Sequence, residues 1–541
     1  MAKAIFFLER FNDAAVEEKD LLTRLAWLRD VVGPRLERFL GYYRNPVMDL
    51  AEALPCARDA QFLVRPYRHY QELGLPARIT GFRRAADGSG TAVGAIDTQR
   101  KEVVIENDIA WRVEAMVDFA VGHEPQVMSK ASDPELRARL DGIIGTILGV
   151  GGGNGCGCSQ LLQRVVQMGC ISGSAWTQIR PTGALLSRVG QVGEVPAVAD
   201  HLLCLELLEP RQVMRVGSCI VILRDTMPSP GRGAASLLER VRSWFGKSSD
   251  DVPDAREFSF DVIGPSLWQR YEKGVLVEEG ENRFGFVPFV RYENGHDPSA
   301  GTRVGPAGSG AVDVGMGDVE SLIPMQDELN TRLSDRAFRV TMTSFRMYLG
   351  KGIEDFIRRP IGPGQMWGTD NPDATIEAFG GDQATPGEEA HINEVREALD
   401  KISGVSPVAA GLLRGKLGNL TSAIALRLTL IALLARTERK RAAITQVLRE
   451  IVRHSLRMLD LAGVLKTDEA DREIDVHWST ALPESEMDRI ALAQGKLALG
   501  VPRELVLREM GYEDIVEREP APATTQSAAE NATKTEMPKV A

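Results

Sequence analysis

Apolar residues recur at three- and four-residue steps between Asp13 and about Val32 (Leu21, Leu22, Leu25, Leu28, Val31), which predicts an amphipathic helix. Pro34 opens a second short helix that ends near Gly41–Asn45. Residues 62–106 mix short β-type runs with turn signals and finish in a strand-like stretch, Glu102–Ile105. Asn107 or Asp108 caps a helix over Ile109–Val121 that stops at Gly122, and Asp133 caps another that runs to about Leu148. The pattern breaks at the glycine-rich run 149–157 and resumes as helix from Ser159 to Met168. Short alternating runs from Ala175 to Val290 predict a small β-rich region. Within it, Met227–Asp254 is rich in Pro, Gly and Ser at both ends and holds a basic amphipathic segment, Ala235–Phe245, between them. It reads as a surface insertion.

Beyond a glycine-rich stretch to Gly317, a long helix is predicted from Asp318 or Ser321 to about Phe345. Its apolar stripe is Leu322, Met325, Leu329, Leu333, Ala337 and Val340, and its acids precede its arginines, which suits the helix dipole. An irregular block of short strands and turns follows, Gly350–Gly387, then a shorter acidic helix, Glu388–Ile402, ended by Gly404. Residues 404–418 form a glycine-punctuated linker. From Asn419 to Leu461 there is neither Gly nor Pro, so one helix of about 60 Å is possible at 1.5 Å per residue. Its first half is apolar on nearly every face, which implies burial between neighbours. Its second half carries Arg436, Arg439, Lys440, Arg441, Arg449, Arg453 and Arg457 against Glu438 and Glu450. Short helices are expected to about Val516, and the last stretch is a low-complexity tail.

Composition narrows the functional classes. The chain has 541 residues, 64 Lys plus Arg and 75 Asp plus Glu, for a net charge of −11. An acidic total of this size rules out coating nucleic acid through bulk charge, so any contact with DNA must be local. Six cysteines in this length are no disulfide framework. The amino-terminal apolar run has acidic flanks and no small-residue cleavage site, so no signal peptide is expected. The most apolar stretch, Ala423–Ala435, contains Arg427, and a soluble protein of a reducing compartment is expected.

Motifs for catalysis are weak. The 149–157 run is followed by Cys and Ser rather than Gly-Lys-Ser/Thr, and Gly415-Lys416 is followed by Leu417, so neither forms a phosphate-binding P-loop. Cys156, Cys158 and Cys170 have no partnering CxxC or paired His, and buried or free thiols are the better reading. The seven histidines form no metal motif. No cofactor is expected. Two other classes compete against this background: a helical scaffold or membrane-associated structural protein built on the long helix, and an enzyme using Cys156 or Cys158. The first lacks a sustained heptad or spanning segment, and the second lacks partnered His or acids.

Several stretches, in order, resemble the portal proteins of tailed bacteriophages and prophages, the head–tail connector of the virion. They are Gly41–Asn45, Asn107–Pro125, Gln167–Arg180 with Gly173–Trp176, Phe284–Val290 followed by Asn294, Asp318–Asn330 with Leu333–Asp335, Ile402–Val405, and Leu420–Arg427. The insertion and the 149–157 run depart from the family pattern.

The resemblance implies an α+β subunit with a helical and β wing, a two-helix stem, a small α/β clip, a long kinked wing helix and a helical crown. On this reading residues 1–317 are wing, with the insertion at 227–254, and 318–345 are the first stem helix. Residues 346–387 are clip, 388–403 the second stem helix, and 404–419 a tunnel loop. Residues 420–462 are the long wing helix, 463–516 crown and 517–541 tail. The family implies a ring, usually of twelve subunits, at the capsid vertex of the virion, assembled in the host cytoplasm. Double-stranded DNA passes through it, and the terminase large subunit, a head–tail adaptor, and capsid and scaffold proteins are partners; no membrane and no ATP hydrolysis by the ring itself are implied. In that setting Glu388, Glu389, Glu394, Glu397 and Asp400 are expected to line the channel and repel phosphates. Leu412, Leu413, Arg414, Lys416 and Leu417 are expected at its narrowest point, and Arg358 and Arg359 at clip contacts.

Overall fold

The computed structural model describes residues 18–49, 67–80, 102–149, 158–186, 202–224, 254–295, 315–344, 347–351, 372–379, 386–410, 427–482 and 486–501, with 503, 506 and 507. The chain divides into a unit of Met1–Ser479 and a unit of Thr480–Ala541.

The first unit begins with α1 (Glu18–Trp27), which passes through a π turn, Leu28–Val32, directly into α2 (Gly33–Arg44). Pro34 thus stands in the first turn of α2, as expected, but with no break in the chain of helical turns before it. The Gly33 amide reaches back five residues to the Leu28 carbonyl, and this wider register falls just where Pro34 has no amide to donate. Asn45 ends α2 in the left-handed region, φ 43°. A two-stranded ribbon, β1 (Val47–Asp49) with β2 (Tyr67–His69), follows.

Next comes α3 (Asp108–Val121), capped by the Asn107 side chain, which accepts from the Ala110 amide. After β3 (Gln126–Ser129), α4 (Pro134–Leu148) is capped by Asp133 and closed by Gly149 at φ 76°. Then α5 (Cys158–Ser172) turns at Gly173 into β4 (Ser174–Pro181). Gly173 has φ 90°, and a β-carbon there would collide with the Gly315 backbone, so only glycine fits.

The β-rich region is built as expected. The strands β5 (Leu203–Leu208), β6 (Val213–Val216), β7 (Cys219–Leu223), β8 (Phe260–Ile263), β9 (Leu267–Glu272), β10 (Val275–Glu281) and β11 (Phe289–Glu293), with β4, form two antiparallel sheets. One is three-stranded, β11-β4-β5, and the other five-stranded, β10-β9-β8-β7-β6. Trp176 and Phe289 of the first pack on Val213 and Ile220 of the second.

The remaining elements of this unit are α6 (Asp318–Ser344), the pair β12 (Met347–Lys351) and β13 (Thr375–Phe379), α7 (Pro386–Ser403), α8 (Ile431–Leu461) and β14 (Ile474–His477). β14 pairs with β3, which corrects the expectation of helices alone after Gly463. Its Ile-Asp-Val-His alternation has the two-residue period of a strand but is too short to stand out in sequence. α8 is also shorter than the stretch free of Gly and Pro. Leu430 leaves helical geometry at φ −98°, ψ 7°, and residues 411–426 lie outside the described set. Beside this break Leu428 is 64% and Ile431 61% exposed in the single chain.

Two further expectations change. Residues 102–107 are extended but pair with no strand; α6 side chains hold them instead. Ser334 Oγ accepts from the Val104 amide at 3.0 Å, Asn330 Oδ1 from Glu106 at 3.0 Å, and Gln326 Oε1 from Asp108 at 3.1 Å. Gln326 Nε2 donates to the Glu106 carbonyl at 2.5 Å. The buried face of α6 is therefore a polar ladder at four-residue spacing, with Val319, Leu322, Ile323 and Leu329 beside it, while Val340 of the expected stripe is exposed. Asn330 Nδ2 continues the network to Gln71, which donates to the Tyr42 carbonyl and to Asn107 Oδ1. Buried amides satisfied in this way order the segment without the aid of a sheet.

The second unit contains α9 (Glu486–Ala498), which Gly500 follows at φ 85°. Ala493 is buried there, and Leu492, Leu497 and Leu499 are exposed.

Candidate functional site: the α6–α7 pair and its junction with α8

α6 and α7 run antiparallel. Arg339 pairs with Glu388 at one end, Glu328 meets His391 at 3.2 Å further along, and Asp318 and Ile402 share Arg436 at the other. The sequence dictates both helices locally: Glu388 and Glu389 lie in the first turn of α7 and Lys401 in its last, complementing the dipole, and Gly404 at φ 68° ends it. Ile392, Val395 and Leu399 form its buried stripe. Burial would raise the Glu328 carboxyl, but hydrogen bonds from Arg332 and His391 outweigh it and hold it below the ordinary value.

The structure separates the five acids expected to line a channel. Glu388 is turned to Arg339, and Asp400 is turned inward to Arg112, a fully buried arginine of α3 that also lies 3.2 Å from Asp108. Asp400 fastens α7 to α3, because a buried guanidinium must be neutralised, while Glu388 ties α7 to the half-exposed Arg339 of α6. Glu389, Glu394 and Glu397 do share one exposed face with Asn393. Glu394 is 76% and Glu397 69% exposed, and Lys401, 79% exposed, lies 3.9 Å from Glu397 at the helix end. Arg396 turns off that face to Glu106 at 2.6 Å. The outward surface of α7 is thus acidic over most of its length.

A compact polar junction binds both helix ends to α8. Lys440 Nζ donates to Asp318 Oδ2 at 2.8 Å, to Cys170 Sγ at 3.2 Å and to Asn294 Oδ1. Asn294 Nδ2 in turn donates to Asp318 Oδ2 at 2.9 Å and to the Met316 carbonyl at 3.3 Å. Arg436 reaches Asp318 Oδ1 at 3.2 Å and donates to the Ile402 carbonyl at 2.7 Å. Burial alone would raise the Asp318 carboxyl, yet Lys440 and Arg436 hold it below the usual range. Burial likewise opposes the Lys440 charge, and the surrounding acidic groups raise its pKa above the ordinary lysine value. Burial pushes the Cys170 thiol up to about 12. Arg441, also buried, donates to the Phe119 and Ala120 carbonyls at the end of α3 and to the Ser479 carbonyl.

Of the cations in the second half of the long helix, Lys440 and Arg441 are therefore buried. The signal lies in the sequence: both fall in phase with Leu433, Thr437, Ile444, Val447, Leu448 and Ile451, the buried stripe of α8. Other expectations lie outside the described residues, namely Leu412, Leu413, Arg414, Lys416, Leu417, Arg358, Arg359, Cys156 and the 227–253 part of the insertion. Among the described residues no group of His, Cys, Asp and Glu could hold a metal ion, and no helix is long and apolar enough to cross a membrane.

Residues 239–533 match the family model described as phage portal protein, SPP1 Gp6-like. No curated protein matches the chain. Solved structures similar to it include the neck of an empty GTA particle computed with C6 symmetry, at 11% identity and TM-score 0.35, covering 72% of this chain and 89% of that one. The virion of a native gene transfer agent particle is similar at 11% identity and TM-score 0.36, covering 74% and 88%. The neck of a native GTA particle computed with C12 symmetry is similar at 12% identity and TM-score 0.34, covering 72% and 89%. The family match spans more than half of the 541 residues and takes in α6, α7 and α8, and on that ground the chain belongs to the phage portal protein family, SPP1 Gp6-like.

Proposed function

We propose that copies of this chain close into a ring at the capsid vertex of a virion and that genomic double-stranded DNA is packaged and ejected through its axis. The observation that carries this reading is the outer face of α7, where Glu389, Glu394 and Glu397 stand in solvent while Arg396 is turned to Glu106. A wall of this kind repels phosphates, whereas a cluster of cations would bind them in a salt-dependent way and stall translocation. α6 and α7 then form the stem, β12 and β13 part of the clip, and α8 the long wing helix, with crown and tail beyond. Glu388 and Asp400 hold the stem helix in place and do not face DNA. Residues Leu412, Leu413, Arg414, Lys416 and Leu417 are assigned to the narrowest point, and Arg358 and Arg359 to clip contacts, either between subunits or with the terminase large subunit or a head–tail adaptor. Capsid and scaffold proteins complete the partners, and assembly takes place in the host cytoplasm. The work of translocation falls to terminase, since portals are structural.

Two measurements test the reading. Electron microscopy and native mass spectrometry of the purified protein should give annular particles of a single subunit number. Replacing Glu389, Glu394 and Glu397 together by Lys should leave rings intact and lower the DNA content of particles, more strongly at low salt. Monomers at all concentrations, or full particles from the triple variant, would overturn it.

A further inference from the structure

Arg436 occupies a position unlike that of its neighbour Lys440. Lys440 is 4% exposed and meets Asp318 at 2.8 Å, so it is a fixed anchor. Arg436 is 27% exposed, and its guanidinium fork spans two elements, meeting Asp318 at the start of α6 and the Ile402 carbonyl in the last turn of α7. The carbonyls of a helix's last turn have no partner within the helix, so a cation there satisfies one of them and complements the dipole. Gly404 makes the approach possible: it takes φ 68°, and a β-carbon would meet Arg436 Nε at 2.9 Å. Just beyond, the chain is tightly held, with the Gly404 amide donating to Asp400, the Val405 amide to Ser403 Oγ at 3.1 Å, and Val405 buried.

We propose that Arg436 is a positioning residue that fixes the carboxyl end of α7 to the amino end of α6, so that residues 404–410 leave α7 in a direction set by α8. Its consequence for DNA rests on the ring reading above: the segment leaving the acidic helix is aimed from the wing helix, and losing Arg436 leaves the ring whole while freeing residues 404–410 from that direction. Because Lys440 remains on Asp318, losing Arg436 leaves no buried carboxylate without a cation. The effect is therefore local to the end of α7.

The test uses the full chain with Arg436→Lys, which keeps the charge but has no fork, and Arg436→Gln, which keeps a donor but no charge. Hydrogen exchange, thermal unfolding, ring mass and DNA content per particle are measured in parallel. One lost hydrogen bond from a charged donor predicts exchange about ten- to a hundredfold faster in residues 402–405. The rest of the unit should exchange as before, rings should be of normal mass, and DNA content should fall. Unchanged exchange at 402–405 in both variants overturns the proposal, as does a uniform rise across the unit that accompanies a fall in Tm. If the unaltered protein forms no ring, the ring reading fails, and the exchange comparison still decides whether Arg436 positions the segment.

Discussion

Replacing Lys440 by Met removes the ammonium and retains most of the aliphatic volume. It leaves the Asp318 carboxylate at a buried site with Arg436 at 3.2 Å and Asn294 at 2.9 Å as its remaining partners. Lys440 is 4% and Asp318 15% exposed, so solvent screens the pair little. Removing one member of a buried pair costs about 3–5 kcal/mol, much of it from the charge left behind. Asp318→Asn combined with Lys440→Met should therefore be less destabilised than Lys440→Met alone.

The pH dependence has a definite sign. Asp318 titrates below its ordinary value of 3.8, so its contribution is present above that pH and is lost as the pH falls through the lowered folded value. Lys440 titrates above its ordinary 10.5, so its contribution is complete below that pH and is lost as the pH rises through the raised one. Scanning calorimetry of the wild-type chain and the Lys440→Met variant across pH should show a Tm gap of several degrees that is flat through neutrality and closes at both extremes. Equal Tm values at pH 7 would refute the buried pair.

The remaining expectations concern neighbouring features. Cys170, buried and pushed up to about 12, should resist iodoacetamide at pH 8 while exposed Cys204 is labelled within minutes; equal labelling by peptide mass spectrometry would contradict this. Asn330→Leu strands the Glu106 amide and Gln71 Oε1 and should cost about 1–3 kcal/mol in denaturant unfolding, whereas a neutral result would mean that water replaces the side chain. Asp400→Asn weakens a charged hydrogen bond from buried Arg112 and should cost about 1.5–3 kcal/mol, measured the same way; wild-type stability would place Asp400 on the solvent face after all.

Legibility in the sequence tracks the range of the interactions. Asn107, Asp133, Gly149 and Gly404 cap helices through atoms a few residues away, and each is evident from its local pattern. The α6 and α7 boundaries and the β-rich region are legible for the same reason. The face of a helix is harder to read, because burial is decided by partners far along the chain. Gln326, Asn330 and Ser334 look like solvent residues until residues 104–108 are placed against them, and Lys440 looks like one until Asp318 is. Among the acids of α7, nothing local tells Asp400 from Glu397: their difference is Arg112, which is 288 residues away from Asp400.

The side-chain ladder on α6 also sets an order of events at the ribosome. Val104 is held by Ser334, 230 residues later, and Gln71 by Asn330, 259 residues later. At translation speeds of about 5–20 residues per second, the early segment waits on the order of tens of seconds for its partner to be synthesised. Throughout that interval the Val104, Glu106 and Asp108 amides lack the side chains that accept from them, while Val103 and Ile105 can already pack on Leu75 and Ile79. Nascent chains should accordingly engage holding chaperones until α6 has cleared the exit tunnel, and release from them should track the emergence of Ser334.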